Sequence, residues 1–362
     1  MKILYLGQLA QGQTCRMRME ELEKLGNEVI GLDSKEEWDS CSWLSKHIQK
    51  RLAFGPAIKR LNSKVMHLAE EHRPDMLWAD KQEYLNPRTL EALRQRKIRT
   101  VHFTPDPYFT LKWKRTRIMD RCMPLWDYVV TSKRYEVADY ERVSRRVLYM
   151  PLGFSEHMHR PSFSSDPELR SHFASDVAFL GGWEPRREEL LAAVASTGCD
   201  LKIWGYSWDH LIDGRWSIRR ACRLSRNAGI ESFRIARNES IAKALKGTEI
   251  YGEEYAWALS GAKIGLGFLR KVCPDQHTTR TFEIPACRSM MLADRTDEHK
   301  EFFVEGKEAE FFSSKQELVE KTQYYLKNDR AREEIAERGY LRCLNSGYSY
   351  RHRMSQTLAE IS

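Results

Sequence analysis

Short apolar runs and amphipathic stretches alternate along this chain, and the alternation starts twice. The first run, KILYLG at 2–7, reads as a buried strand. Residues 14–25 follow with Met17, Leu22 and Leu25 on one helical face and Gly26 as the stop. The pairing recurs through NEVIGLD (27–33), a long helical stretch from Trp43 to Glu71, DMLWAD (75–80), a helix over Asn86 to Arg96, IRTVHFT (98–104), DYVVTS (127–132) and RVLYMPLG (146–153). Strands alternating with helices predict an α/β domain, a parallel sheet wrapped by helices.

From Phe154 to Ser175 the periodicity lapses among Pro161, Pro167 and several serines, so this stretch is expected to connect two domains. The alternation then restarts with DVAFLGG (176–182), a helix over 186–196, DLKIWG (200–205), a strand near Phe233, a helix ending at Leu259 and KIGLGFL (263–269). A helix at 282–287, SMMLAD (289–294), EAEFF (308–312) and helices over 315–327 and 330–343 complete it. The expected division is a first domain over 1–155, a linker over 156–175 and a second domain over 176–347, with a helical tail at 348–362 returning to the first domain. A chain of 362 residues with 41% hydrophobic content is long enough to split into two cores and apolar enough to fill both.

No apolar run approaches the roughly 18 residues needed to cross a bilayer. Met1 to Gly7 opens a strand instead of a secretion signal, so a soluble, cytoplasmic protein is expected. The eight cysteines form no CxxC pair and have no histidines at zinc-ligand spacing, which reads as reduced thiols. The net charge of +8 suits an anionic partner without selecting one. The densest basic stretch, Arg215 to Arg237, reads as a solvated helix and loop, or as a docking surface for a phosphate-bearing acceptor, a lipid headgroup or nucleic acid.

Chemistry concentrates in CPDQHTTRTFEIPACRSMMLAD (273–294), a polar loop running into a short helix and an apolar strand. Pro285 is poorly tolerated deep in a helix, so the helix is expected to start around Thr281, with free N–H groups near Thr278 and Thr279 and a positive dipole end suited to a diphosphate. Glu283 offers two acceptor oxygens for paired ribose hydroxyls. The competing reading is a helix capped by Thr279 or Thr281, with Glu283 a surface acid. Arg280 is a further cation for phosphate. In FLGGWEPRRE (179–188), Gly181 and Gly182 end a strand and Arg186 and Arg187 open a helix, where a guanidinium fork suits diphosphate. The loop from Gly7 through Gln8 and Gly12 to Gln13 allows close backbone approach, but it is not GxGxxG and predicts no dinucleotide site. His102 and Asp106 fall at the end of another strand, as structural residues or as contacts to sugar or acceptor.

Several of these stretches resemble one family. ALSGAKIGLGFLR (258–270), DQHTTRTFEIPAC (275–287), EHKEFFVEGKEAEFFSSKQEL (298–318), YYL (324–326) and IAERG (335–339) are similar, in order, to the C-terminal domain of the CgeB-type (spore maturation protein) glycosyltransferases of the retaining GT-B group. GQLAQGQTCRMRMEELEKLGNEV (7–29) is similar, less specifically, to the first loop and helix of GT-B enzymes. The resemblance implies two Rossmann-like domains facing each other across a cleft, and transfer of a sugar from a nucleotide diphosphate donor, such as a UDP- or dTDP-sugar, to an acceptor hydroxyl. It implies retention and no metal or other cofactor, with the 154–175 stretch as part of a hinge. It also implies a diphosphate arginine at Arg187, with Arg186 as alternate, and a base-packing position at Tyr251. Asp275 and Glu283, with seven residues between them, match the family's acidic pair, although the first is usually glutamate. The glycine usual after the Ala286-Cys287 pair is missing, and Arg288 and Ser289 stand there. Gly7 to Gln13 and Asp106 fall on the acceptor and sugar side. The departing phosphate is implied as the acceptor's base, with His277 and His102 as alternatives. The acceptor is left open among protein, polysaccharide, lipid-linked sugar and small molecule. Two rivals stand beside this reading: a GT-B sugar-nucleotide epimerase, and a basic nucleic-acid-binding module or DNA-modifying glycosyltransferase, although no RNP, KH, zinc-finger or helix-turn-helix signature is present.

Overall fold

The computed structural model describes residues 1–209, 211 and 238–361, so the strand expected near Phe233, the arginines of 215–237 and Cys222 lie outside the described residues. The chain divides into one unit of Met1–Leu152 with Tyr350–Ser362 and a second of Gly153–Ser349.

The first unit holds β1 (Lys2–Gly7), β2 (Glu28–Asp33), β3 (Met76–Asp80), β4 (Arg99–Thr104), β5 (Tyr128–Thr131) and β6 (Val147–Tyr149) in a parallel sheet ordered β2-β1-β3-β4-β5-β6. Both faces are covered, so the strands read as continuous apolar runs, and Leu4, Leu6, Leu77, Ala79 and Val129 form one core with Leu61, Val65, Leu90 and Leu93 of the helices. The helical stretch expected as one piece from Trp43 to Glu71 is two helices, Trp43–Leu52 and Pro56–His72. Ala53 turns left-handed (φ 50°), Gly55 takes φ 151°, a glycine conformation, and Pro56 restarts the helix at its first turn, where its missing N–H costs nothing.

The tail helix Tyr350–Ile361 packs on the helix Thr14–Lys24. Between them lies a buried ion pair: Arg18 Nε donates to Asp80 Oδ2 at 2.7 Å and Nη2 to Oδ1 at 3.1 Å, and Tyr5 donates its hydroxyl to the same Oδ2 at 2.6 Å. The guanidinium lies over the rings of Phe103 at 4.7 Å and Tyr350 at 5.2 Å.

The second unit holds β7 (Ser175–Leu180), β8 (Leu201–Trp204), β9 (Leu245–Gly247), β10 (Ala262–Gly267), β11 (Met290–Asp294) and β12 (Glu310–Phe312), all parallel, in the order β12-β11-β10-β7-β8-β9. The stretch read as a linker at 156–175 is part of this unit. Asp166 caps a helix, Pro167–Phe173, by accepting from the amide of Glu168 at 2.8 Å, and Phe173 is buried 5.8 Å from the rings of both Trp204 and Trp257. Lys202 ties the helix's end down by donating to the carbonyls of Ser171 (3.0 Å) and His172 (2.8 Å). Among the described residues no helix is long and apolar enough to cross a membrane.

Two buried histidines give stability an acid limb. His102 stacks on Trp126 at 5.0 Å with neither ring nitrogen hydrogen-bonded. His299 donates from Nδ1 to the carbonyl of Asp294 (2.6 Å) and accepts at Nε2 from Thr281 (2.9 Å). Burial pushes both imidazoles down to about 4 from an ordinary 6.5. Between those values the unfolded chain binds more protons than the folded one, so stability is lost as pH falls through that window. A denaturant midpoint measured from pH 7 to 4 should fall, and His102→Leu should remove part of the slope.

Candidate active site

In the second unit β7 and β10 are neighbours, yet the chain leaves β7 towards β8 and leaves β10 towards β11, on opposite sides. Loops part at such a switch point, and the crevice outside the carboxyl ends of the two strands is where sheets of this kind take ligands. Arg187 lies there. It stands in the first turn of the helix Pro185–Ala195, buried, with Nη1 donating to the carbonyl of Gly182 at 2.9 Å and Nη2 to that of Phe268 at 3.0 Å. Its two hydrogen bonds therefore join the ends of β7 and β10. Its Nε is buried without a partner, and Arg187 forms no ion pair among the described residues. Burial pulls this guanidinium down to about 10, and the neighbouring charges of Arg280 and Arg270 add to that against the opposing pull of Glu184. A buried cation short of counter-charge is costly by itself and is compensated by an anion.

The other arginines divide by whether they are neutralised. Arg186 forms a two-pronged pair with Asp294 at the end of β11, one contact being Nη1 to Oδ2 at 3.1 Å, and the same Oδ2 accepts from the amide of Leu269 at 2.8 Å. Arg270 pairs with Glu184 at 2.7 Å. Arg280 donates its Nε to the carbonyl of Leu180, the last residue of β7, and its Nη groups have no partner among the described residues. Backbone crowds at this edge: a Cβ on Gly205 would lie 1.9 Å from the carbonyl of Gly181, so only glycine fits.

Glu283 sits on the helix Arg280–Ala286, which begins one residue before the expected Thr281. Thr279 makes no side-chain cap, and the hydroxyl of Thr281 instead accepts from the amide of Thr278 at 3.1 Å, so that amide is already engaged. The amide of Thr279 has no acceptor among the described residues. Glu283 is no surface acid. It is buried, Oε2 accepts the hydroxyl of Tyr255 at 2.6 Å, and Oε1 lies 3.7 Å from His159 Nε2. His159 accepts the amide of Ser155 at Nδ1 (3.0 Å), which places its own proton on Nε2, towards the carboxylate. Burial lowers the His159 pKa, with Glu283 pulling the other way. Arg280 is near enough to Tyr255 to oppose the rise that burial and Glu283 impose on that phenol, so these groups form one electrostatic neighbourhood with Arg187.

His277 is buried, with Nδ1 at 2.5 Å from Glu298 Oε2 and its ring edge-on to Phe282 and Phe302. Asp275, half-buried, accepts from the thiol of Cys273 at 3.2 Å. Tyr251 is 49% exposed, ahead of Gly252 at φ 63°. Arg288 adopts a left-handed conformation (φ 60°) and pairs with Glu337, so its charge is spent away from a ligand. In the first unit Gly7 ends β1, Gln8 is exposed, Gly12 turns left-handed (φ 79°) and Gln13 immediately precedes the helix Thr14–Lys24. Asp106 is held by Lys81 (2.9 Å) and Lys114 (3.0 Å); burial would raise its carboxyl, but the two ammonium groups hold it well below the usual range. His102, expected beside Asp106, shares no hydrogen bond with it. Among the described residues no three His, Cys, Asp or Glu side chains gather as a metal-holding group.

His159, Tyr255 and Asp294 escaped the sequence reading. His159 lay in the stretch taken for a linker, and nothing in local spacing links it to a carboxylate 124 residues on. Asp294, the last residue of an apolar strand, carried a signal: an acid at the carboxyl end of a parallel strand faces the ligand edge.

Residues 186–359 match the family described as glycosyl transferase-like. No curated protein matches the chain in sequence. Among solved structures, sucrose-phosphate synthase from Thermosynechococcus elongatus aligns at TM-score 0.67 and 13% identity over 99% of this chain and 98% of its own. Anabaena HepE, solved in complex with UDP-glucose, aligns at 0.60 and 13% over 99% and 100%. A putative UDP-N-acetylglucosamine 2-epimerase from Listeria monocytogenes aligns at 0.54 and 9% over 99% and 95%. At these identities the likeness establishes the fold, two Rossmann-like sheets in the GT-B arrangement of secondary structure. The glycosyl transferase-like match runs from Arg186 to Ala359, just under half of the chain, on that GT-B fold.

Proposed function

We propose that the chain moves a sugar from a UDP- or dTDP-sugar to an acceptor hydroxyl, with retention and without a metal, and that it is of the CgeB-like kind. The observation that carries this is Arg187, a buried guanidinium with no ion pair among the described residues, fixed to the carboxyl ends of β7 and β10. Breaking the bond between an anomeric carbon and a diphosphate loads negative charge on the leaving group, and preorganised cations in a water-poor site stabilise that charge. Arg187 and Arg280 supply it in this reading, with the Thr279 amide. Glu283 takes the ribose hydroxyls, held in place by Tyr255 and His159. Tyr251 meets the base and Asp275 the donor sugar, while Gly7, Gln8, Gly12, Gln13 and Asp106 serve the sugar and acceptor. The burial of His102 and His277 argues against either imidazole meeting substrate, so the leaving phosphate is the base we favour. HepE, crystallised with UDP-glucose and with UDP, supports the choice of donor. The seven cysteines among the described residues form no disulfide with one another, which supports a cytoplasmic location.

Glu283→Gln keeps the shape and removes the charge that strengthens the ribose hydrogen bonds, roughly 1.5 to 3 kcal/mol for bonds to a charged group. Donor affinity should fall about tenfold or more, with the circular dichroism unchanged; unchanged affinity would remove Glu283 from the site. The epimerase reading is separated by incubating UDP-sugars with and without a mixture of acceptors. Acceptor-dependent release of UDP supports transfer, whereas interconversion of the sugar nucleotide with no acceptor present overturns it.

A further inference from the structure

The helix Trp43–Leu52 is mounted with its polar side inward. Gln49 is its buried residue: Nε2 donates to Ser45 Oγ at 2.9 Å, and Oε1 accepts the amide of Ala57 at 2.9 Å, fixing the turn into the next helix. Leu44, Ile48 and Leu52, four residues apart and therefore in one row, point to solvent with Trp43, and Phe54 follows just beyond the helix. These five side chains are 49% to 67% exposed. Scattered exposed leucines need no explanation, but a contiguous row with an aromatic at each end marks an interaction surface.

The charge around the row selects the partner. From Ser40 to Ala69 the sequence holds six lysines and arginines and no acid. Arg60 and Lys64 are spent on Glu37 (2.7 and 2.5 Å), and the nearby Asp39 is spent on Lys35 (2.7 Å). Lys46, Lys50, Arg51 and Lys59 form no ion pair among the described residues; Lys50 lies over Trp38 and Lys59 over Phe54. Lys46 and Lys50 lie on the side of the helix that holds Gln49, but the exposed Arg51 precedes Leu52 and the exposed Lys59 lies over Phe54. An apolar row with Trp and Phe at its ends and these cations beside it fits a surface that is apolar beneath and anionic on top. We propose that this helix docks the protein on an anionic lipid bilayer, lying in the headgroup region with Leu44, Ile48 and Leu52 inserted and Arg51 and Lys59 at the phosphates. The proposal concerns the first unit alone and does not rest on the donor-site reading.

The test is flotation of the full chain with phosphatidylcholine vesicles, with and without phosphatidylglycerol. The chain should float with the anionic vesicles and, at low salt, far less with the neutral ones. Replacing Leu44, Ile48 and Leu52 together by Ser should weaken partitioning about tenfold or more. Arg51→Gln and Lys59→Gln should each cost about fivefold on the anionic vesicles only. The unaltered chain gives a readout that needs no mutant to fold: anionic vesicles should shift tryptophan emission to the blue, and Trp43→Phe should remove that shift. Absence of flotation, or flotation and emission indifferent to these changes, overturns the proposal. So does concentration-dependent dimerisation that the serine variant abolishes, because the row would then bind a second copy.

Discussion

Arg187→Ala should lower turnover by about 10²–10³-fold, the loss that follows removal of one preorganised donor from a site where charge develops. From sequence alone this arginine reads as the diphosphate ligand on an exposed first helical turn, whose loss would hardly touch stability. In the structure it is buried, and truncation strips the carbonyls of Gly182 and Phe268 of their donor, a cost of about 1–3 kcal/mol per unsatisfied buried group. Removing a buried charge without an ion pair works in the opposite direction. The change in melting temperature of the free protein should therefore be modest, and the clear signal is loss of the thermal shift that a nucleoside diphosphate produces. Arg187→Lys keeps the charge and loses the fork, so it should recover binding in part and turnover poorly. Arg186→Ala is the control. It leaves Asp294 without its counter-ion, and should lower the melting temperature while sparing most of the turnover of the folded fraction. A large turnover loss at Arg186 with none at Arg187 would exchange their roles.

Arg18→Ala should destabilise the first unit by about 3–5 kcal/mol, because it leaves the buried carboxylate of Asp80 without its counter-ion. It also takes away the cation beneath Tyr350, so the tail helix should loosen and its amides exchange faster. Replacing the pair together, Arg18→Met with Asp80→Leu, should restore much of the loss, since a well-packed apolar substitute is often neutral or stabilising. Nucleotide affinity should not change in either variant that remains folded, which separates this pair from the donor site. A cost below about 1 kcal/mol for Arg18→Ala, the scale of an exposed salt bridge, would show that the pair does not stabilise this unit.

The sheets were legible because parallel strands covered on both faces write themselves as apolar runs; KILYLG, MLWAD and MMLAD needed no tertiary knowledge. The break at Gly55 was legible in principle, since Phe-Gly-Pro is a stop followed by a start, but the apolar period continues in register on either side and concealed it. The arginines were found as residue types at a strand end. Which one lacks a counter-ion was not legible, because that depends on Asp294, 108 residues away, neutralising Arg186 and on no carboxylate among the described residues neutralising Arg187. The neighbours of Glu283 were hidden for the same reason: Tyr255 and His159 arrive from different parts of the chain, and only folding brings a hydroxyl and an imidazole to that carboxylate. The outward row of Leu44, Ile48 and Leu52 shows the converse failure. A helical apolar stripe ordinarily marks the core face, and in this protein it faces water.

Titration of the whole protein with UDP and dTDP by calorimetry, alongside Arg187→Ala and Glu283→Gln, tests the donor site most directly. The expected result is binding of at least one of the two by the unaltered chain, weakened by both substitutions and indifferent to Arg18→Met with Asp80→Leu. No binding of any nucleoside diphosphate at millimolar concentration, or binding that neither Arg187→Ala nor Glu283→Gln weakens, would contradict it.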